Sequence, residues 1–588
     1  MTTNIYYDGG CPFCRRYVAL LRLRDAAGEV RLISLREAPE ACRRFQAQGI
    51  DLDQGMVVER NGRLYHGSEA IHRLALMTTP VGFFNRVSAR LLSIPWLALL
   101  LYPLMRAVRN ATLLMMGRQP IRNTVEGEQA IFQIVSRWFG LFAILHVFIY
   151  YFRYTPGVLH PPMLVMAACG LALIVRPGSV RVFVILVLAM ALNAWLQAPL
   201  SSNHTILKNF WLLGLLLGGG YAWLRGVGFE MFFRQVRPIG QALLVVMYFF
   251  GVFHKINADF LDPEVSCAVE LWRVMPSFLS WLDALWFHYL AIYGTLVIEA
   301  AIIVALLIPR TRHLGIVAGI GFHGLLALSG YAMYAVFSTL TILLHLLFLS
   351  PDGARRIVDS PFWQIIDRAL RKPVYVVLLT CVFVLIALAA QDQDYIQVSY
   401  LWLMIAAPLL GCIVVYGKGE DHQPVFWSRW HWLNIVSLAF FLNGAMPYLG
   451  LKTAQTMNMF ANLRLEGGVS NHLVFREPPG PFGYLQDLAD VRRAERELDL
   501  AFFVIRDDSL IVYYDLLNRM ERHPEARVSF TRAGVNYNDV TFADVKEEAE
   551  QLLHSRAFRK YFHFRWVRDS EKVTCHSSPP WEPPGDLN

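Results

Sequence analysis

The sequence predicts a polytopic α-helical membrane protein with a small α/β domain at its amino end and an α+β domain outside the membrane at its carboxyl end. Three observations predict this. Of 588 residues, 55% are hydrophobic and only 17% charged, with a mean hydropathy of +0.38, which exceeds what a water-soluble chain needs. Long apolar runs are confined to the interval from about Trp138 to Gly450, and both flanks are more polar. Near the start, Cys11-Pro-Phe-Cys14 stands between a strand-like and a helix-like stretch.

At the amino end, Asn4–Tyr7 reads as a strand, Asp8-Gly-Gly10 as a turn, and Cys11 opens a helix running through Leu23. Val30–Leu35 supplies a second strand, and Met56–Tyr65, with Asn61-Gly62 at its centre, a β-hairpin. This is thioredoxin-like grammar. A helix start places partial positive charge beside a thiolate, so Cys11 is the expected reactive thiol and Cys14 the resolving one. Tyr7-Asp-Gly-Gly-Cys-Pro-Phe-Cys14 resembles the DCC family of thiol-disulfide oxidoreductases over residues 1–118. The chain departs from thioredoxins proper in lacking a proline before Met56, so retention of the shape without redox work is the alternative. A zinc site needs ligands this motif lacks, since only Cys42 lies in the same domain, and no metal is expected. The remaining cysteines, at 42, 169, 267, 381, 412 and 575, suggest no disulfide framework. Pro95–Met105 is too short to span a membrane and is expected to cover this domain, with 119–136 as a linker.

Residues 137–450 hold about eleven apolar runs, judged against the usual span of about 17–25 residues. No basic start followed by an apolar stretch marks a cleavable signal, so the first span is expected to direct insertion. Basic residues cluster in alternate connections: Arg118, Arg122 and Arg137 before the first span, Arg225, Arg234 and Arg237 between the fourth and fifth, and Arg355, Arg356, Arg368, Arg371 and Lys372 after the eighth. The opposite connections carry acids such as Asp259, Asp262 and Glu264. Cytoplasmic loops are the basic ones, so the amino end is expected inside and the carboxyl domain outside.

Lys255 stands where the fifth span should still be apolar. A lysine at mid-bilayer costs roughly 2.5–3.5 kcal/mol, so such groups face a cavity, pair, or do chemistry. The alternative is that Lys255 ends its helix and snorkels to the headgroups. His204 lies at the outer start of the fourth span, where a lone histidine is more often a cap or a satisfied polar contact than a functional group, and Asn203 could serve equally as a helix cap. What favours a site is the common depth expected for His204, Lys255, Asn257 and Asp259.

Gly251-Val-Phe-His-Lys-Ile-Asn-Ala-Asp-Phe260 resembles the lysine motif of vitamin K-dependent γ-carboxylases, with the second of that motif's paired lysines falling on Lys255. Asn203-His-Thr-Ile-Leu207 is similar to the family's Asn-His segment and places its functional histidine on His204. Gly321-Phe-His-Gly324, after a span carrying Glu299, is similar to a downstream Phe-His helix and adds His323. The likeness covers about 130–540 and resembles the bacterial HTTM branch. It departs where the first lysine is His254, the first aspartate Asn257 and the tryptophan Phe260.

The resemblance implies an integral protein of the bacterial inner membrane that carboxylates glutamate side chains. Reduced vitamin K or a menaquinol-type quinone, dioxygen and carbon dioxide are its implied co-substrates, with no metal. Lys255 is the implied base and His204 the group that orients or stabilises the substrate carboxylate. Asn203, His254, Asn257, Asp259, Glu299 and His323 are candidate contacts for substrate or quinone, although His323, and Glu299 still more, read more readily as interhelical hydrogen-bonding groups. Expected partners are membrane lipid and quinone, a glutamate-containing peptide, and a thiol reductant for the Cys-x-x-Cys motif. The competing expectation is a quinone- or lipid-binding membrane protein without carboxylation, redox-active only at Cys11 and Cys14.

After Lys452, Ala501–Ile505 and Leu510–Tyr514 read as strands and Asp544–Leu553 as a helix, giving an α+β domain over 451–577 and a Pro-rich tail at 578–588. The formal charge of +8 follows from the inward-facing arginines, so no nucleic-acid role is assigned.

Overall fold

The computed structural model describes residues 2–20, 29–48, 50, 52, 55–77, scattered positions within 86–112, 121–149, 160–197, 203–273, 275, 281–328, 332–372, 374–378, 380–381, 396–419, 426–458, 460–477, 480, 482–495, 498, 500, 509–553, 562–568 and 572–575. The amino domain runs β1 (Thr2–Tyr7), α1 (Pro12–Leu20), β2 (Glu29–Ser34), α2 (Pro39–Ala47), β3 (Val57–Arg60), β4 (Arg63–His66) and α3 (Ser68–Met77). Its sheet has the order β2-β1-β3-β4, with β1 parallel to β2 and antiparallel to β3. The β3–β4 hairpin forms because Asn61 and Gly62 both accept left-handed φ, 51° and 74°, as a two-residue turn of matching twist requires. Ile5, Val58, Ile71 and Leu74 build the core, and Leu92, Leu101 and Tyr102 pack on it, so the short apolar segment covers this domain.

The helical domain contains α4 (Ile121–Ile149), α5 (Pro161–Val175), α6 (Val180–Gln197), α7 (Asn203–Leu224), α8 (Phe229–His254), α9 (Ala258–Leu261), α10 (Cys267–Arg273), α11 (Leu285–Leu307), α12 (Arg312–Ala327), α13 (Ala332–Leu346), α14 (Pro351–Asp359), α15 (Pro361–Leu370), α16 (Ile396–Tyr416) and α17 (Ile435–Ala445). About eleven spans are expected. Among the described residues, four helical stretches are long and apolar enough to cross a membrane: Gly127–Phe148, Phe229–His254, Leu285–Leu307 and His431–Leu449. A fifth arises if α13 and α14, bent by 114°, count as one. Hydropathy counts apolar runs, whereas crossing needs unbroken length: the 15 residues of α5 reach only about 22 Å at 1.5 Å per residue, short of a hydrocarbon core of about 30 Å. The expected run Val374–Ala390 lies largely outside the described residues.

Arg137, Arg234 and Arg237, expected in loops, lie inside the long helices α4 and α8. Arg137 of α4 ion-pairs with Asp367 of α15 and donates to the Ile174 carbonyl. Arg237 of α8 donates to both carboxylate oxygens of Glu128 at 2.9 Å, and Arg234 lies one turn earlier. The expected linker 119–136 is therefore largely the first turns of α4. Opposite charges on neighbouring helices offset the desolvation that hydropathy alone counts against these residues.

The carboxyl domain consists of β5 (Leu488–Ala494), β6 (Ser509–Val512), α18 (Tyr513–Arg522), β7 (Val528–Arg532), β8 (Val535–Val540), α19 (Lys546–Leu552) and β9 (Val567–Arg568), with an antiparallel sheet of order β8-β7-β5-β6-β9. The strand expected through Tyr514 ends at Val512. Tyr513 and Tyr514 instead open α18, and their rings are buried in two separate apolar clusters. Residues 501–505 and 578–588, expected as strand and tail, lie outside the described residues.

The two polar domains meet opposite ends of α8. At its start, Gln235 accepts from the Arg429 backbone N–H, and Arg429 ion-pairs with Glu37 of the amino domain. At its finish, His254 Nδ1 lies 2.7 Å from Tyr448 Oη and its Nε2 3.0 Å from the Thr456 carbonyl. The 26 residues between correspond to about 39 Å of helix.

Candidate functional site

Lys255 terminates α8, as the snorkelling alternative requires, but it does not reach water. It is 8% exposed, and its Nζ lies 2.7 Å from both carboxylate oxygens of Glu299 on α11. The pair forms the polar end of a cavity of about 360 Å³. Apolar side chains make up most of the wall, among them Met247, Ile298, Phe322 and Phe337. Two lining residues, Leu290 of α11 and Leu325 of α12, are 55% and 45% exposed, so the cavity wall continues into the apolar outer belt of the helices. Met457 and Phe460, from the segment after the last candidate span, also line it.

Beside the ion pair, Tyr248 Oη lies 2.8 Å from His323 Nε2 and 3.2 Å from His345 Nε2. Tyr248 and His323 line the cavity, whereas His345 stands behind them. Sequence reasoning gave no weight to His345 or Tyr248. A tyrosine and a histidine on apolar helix faces have no periodic signature, and only the convergence of α8, α12 and α13 joins them.

The other expected site residues disperse. His204 is buried on α7, its ring centroid 6.4 Å from that of His146, whose Nε2 lies 3.4 Å from Lys208 Nζ. It does not line the Lys255 cavity. Asn203 begins α7, and its side chain lies outside the described residues. His254, Asn257 and Asp259 face the carboxyl segment. Asn257 caps α9 by accepting from Phe260 N–H and donates to the His254 and Ala461 carbonyls. Asp259 accepts from Asn471 Nδ2 at 2.7 Å and from Val573 N–H at 3.1 Å. These three side chains anchor the carboxyl domain to the end of α8 and do not share the Lys255 cavity.

The same rim carries a disulfide, Cys267–Cys575, which corrects the expectation of no disulfide. Sequence spacing could not show it, because the partners are 308 residues apart and meet only once the carboxyl domain docks. Lys572 reinforces the junction with contacts of 2.8 Å to Asp262 and Glu264.

The second candidate site lies at the opposite end of α8, in the amino domain. The turn after β1 presents Cys11 and the first turn of α1 presents Cys14, both as free thiols. Cys14 N–H donates to Cys11 Sγ at 3.4 Å. A hydrogen bond from the Cys14 thiol, opposed by burial and aided by the N–H groups of Cys14 and Phe13, holds Cys11 at about 6 rather than 9.0. The same thiol hydrogen bond, together with burial, pushes Cys14 up. Cys11 is thus the thiolate, as expected, although it is the more buried of the two and Cys14 lies nearer the surface.

Asp8, three residues before Cys11, accepts from Arg36 at 2.5 Å and from Arg109 at 2.9 Å. Burial opposes its ionisation, but Arg36, Arg109 and the Gly10 N–H outweigh that and hold the carboxyl below its usual range. Residues 5–115 match the DCC1-like thiol-disulfide oxidoreductase family. The paired thiols and their helix start therefore belong to a DCC1-like domain. No curated protein and no solved structure matches the chain.

In the DCC1-like domain, Asp8→Ala is expected to cost about 3–5 kcal/mol, because it leaves two guanidiniums without their buried counter-charge. Thermal melting of the full-length protein measures this loss. The Asp8 charge also raises Cys11, so the milder Asp8→Asn is expected to move the Cys11 titration lower, as read by thiolate ultraviolet absorbance.

Proposed function

We propose that the chain is a quinol-dependent membrane enzyme of the γ-glutamyl carboxylase type, joined to a thiol-disulfide oxidoreductase domain that works at the other end of the bundle. The observation that carries this reading is the Lys255–Glu299 pair at the polar end of an apolar cavity bordered by outward-facing Leu290 and Leu325. Such a cavity suits a lipophilic ring with a hydroxyl at one end. When bound, a reduced quinone supplies reducing equivalents and, with dioxygen, the driving force for removing a glutamate γ-proton so that carbon dioxide can add.

The residues divide the proton work between them. Because Lys255 is ion-paired, Glu299 replaces it as the base: Glu299 accepts the hydroxyl proton at a carboxylate oxygen, and Lys255 Nζ transfers its pairing from Glu299 to the oxygen that lost the proton. The net charge of the cavity is unchanged, so the transfer avoids creating an isolated ion in a medium of low polarity. Met457 and Phe460 bring the segment leading to the outer domain against the same cavity, where a glutamate-bearing peptide arrives from the aqueous side. His204, buried with His146 and Lys208, takes no part in this step.

That position of His204 outside the cavity favours a second reading, in which quinone or lipid binds without carboxylation and redox work belongs to Cys11 and Cys14. Incorporation of labelled carbon dioxide into glutamate peptides with reduced vitamin K separates the two. Incorporation by the parent and its loss in Lys255→Ala support carboxylation, and no incorporation by the parent rejects it.

We also infer that the Cys11–Cys14 end faces the cytoplasm and the Lys255 end faces outward in a bacterial inner membrane. Free thiols at one end and a disulfide at the other suit reducing and oxidising compartments respectively. In intact spheroplasts, an impermeant reductant is expected to open Cys267–Cys575, whereas an impermeant maleimide labels Cys11 and Cys14 only after lysis. The reverse pattern rejects this orientation.

A further inference from the structure

The hydrogen positions in the chain of rings beside Lys255 and Glu299 follow from one carbonyl. His345 Nδ1 lies 2.7 Å from the Thr341 carbonyl, which can only accept, so in a neutral ring this nitrogen carries the hydrogen. His345 Nε2 is then a lone pair, to which Tyr248 Oη donates across 3.2 Å. With its own hydrogen engaged there, Tyr248 Oη accepts from His323 Nε2 at 2.8 Å. His323 is therefore protonated on Nε2, and its Nδ1 is a lone pair. That atom is buried and has no hydrogen-bond partner among the described residues, on a side chain that lines the cavity. A buried acceptor without a donor is costly unless a ligand supplies one.

We propose that His323 Nδ1 makes the cavity select a hydroquinone over its oxidised quinone, with Tyr248 and His345 acting as positioning residues that fix the His323 tautomer. This rests on the quinol reading above and adds a second acceptor that discriminates, beside the Glu299 carboxylate. A hydroquinone brings O–H donors, which an imidazole lone pair accepts. A quinone brings carbonyl oxygens, and an oxygen lone pair facing a nitrogen lone pair leaves both unsatisfied. Lys255 cannot make this distinction, because an ammonium donates equally to a hydroxyl or a carbonyl oxygen. Polar groups held in place reject a ligand lacking the complementary hydrogen far more strongly than an apolar wall does.

Gly319 of α12 provides a way to disturb the relay without removing a polar group. A methyl group at this position would collide with the His345 ring. Gly319→Ala is therefore expected to displace His345 and weaken the constraint on Tyr248.

The test uses the full-length protein in lipid nanodiscs under anaerobic conditions, with menadiol and menadione as reduced and oxidised probes. The parent is expected to bind menadiol at least about tenfold more tightly than menadione. Tyr248→Phe and His323→Phe are expected to lower the ratio at least about threefold, leaving the discrimination that the Glu299 carboxylate supplies, and Gly319→Ala to lower it less. Imidazole nitrogen NMR of the parent is expected to show His323 protonated on Nε2, a readout independent of how the variants fold. Equal binding of both probes by the parent, a His323 proton on Nδ1, or an undiminished ratio in His323→Phe overturns the selectivity assigned here and leaves the quinol reading standing. Failure of the parent to bind either probe overturns both.

Discussion

Lys255→Ala is expected to lower carbon dioxide incorporation by at least about a hundredfold, the effect of removing one charge-stabilising donor from a reaction centre. The substitution also strands Glu299, which is 7% exposed, and breaking a buried ion pair from one side costs about 3–5 kcal/mol of stability. A loss of activity alone would therefore confuse chemistry with folding. Removing both charges separates them. Lys255→Ala with Glu299→Ala leaves no unpaired ion, so the melting temperature is expected to recover toward the parent while incorporation stays low. Glu299→Gln keeps the shape and removes the proton acceptor, and it is expected to retain binding of the reduced ring but to lose turnover. Substantial activity in the double variant would show that the pair is an interhelical brace and that proton transfer occurs elsewhere.

Cys11→Ser is expected to abolish thiol-disulfide exchange by the DCC1-like domain, by about a thousandfold or more, because a serine hydroxyl forms no nucleophilic anion near neutral pH. Cys14→Ala keeps the Cys11 nucleophile but removes the side-chain hydrogen bond that most lowers Cys11, so its Cys11 titration is expected to rise from about 6 toward the ordinary thiol range. Thiolate absorbance reads that shift. The sign for stability follows from the same depression. In the reduced domain, stabilisation from Cys11 ionisation is complete above pH 9 and is lost as pH falls through about 6. Both cysteine variants are expected to retain single-turnover carbon dioxide incorporation, since about 39 Å of α8 separates its two ends. Loss of single-turnover incorporation in Cys11→Ser would show that the two ends work as one site.

The amino domain was largely legible in the sequence. Its alternating strands, the Asn61-Gly62 turn and the Cys11–Cys14 helix start all act over a few residues, and the sheet joins neighbouring segments. Lys255 was legible for a related reason, because a cation at the end of an apolar run is costly in any packing. Its partner was not. Glu299 is 44 residues away on another helix, and nothing local distinguishes an acid that pairs from one that caps or faces a loop. The same blindness placed Arg137, Arg234 and Arg237 in loops and left Cys267–Cys575 unseen.

Local chemistry was enough to identify an apolar helical chain with a redox-type motif at one end and an anomalous lysine near the other. Packing among distant segments settled which side chains share a cavity: Glu299, Tyr248 and His323 stand with Lys255, whereas His204 joins His146 and Lys208. The physical reason is range. Backbone preferences and desolvation costs are properties of a residue and its near neighbours in the chain, whereas an ion pair or a cavity wall depends on which helices come together.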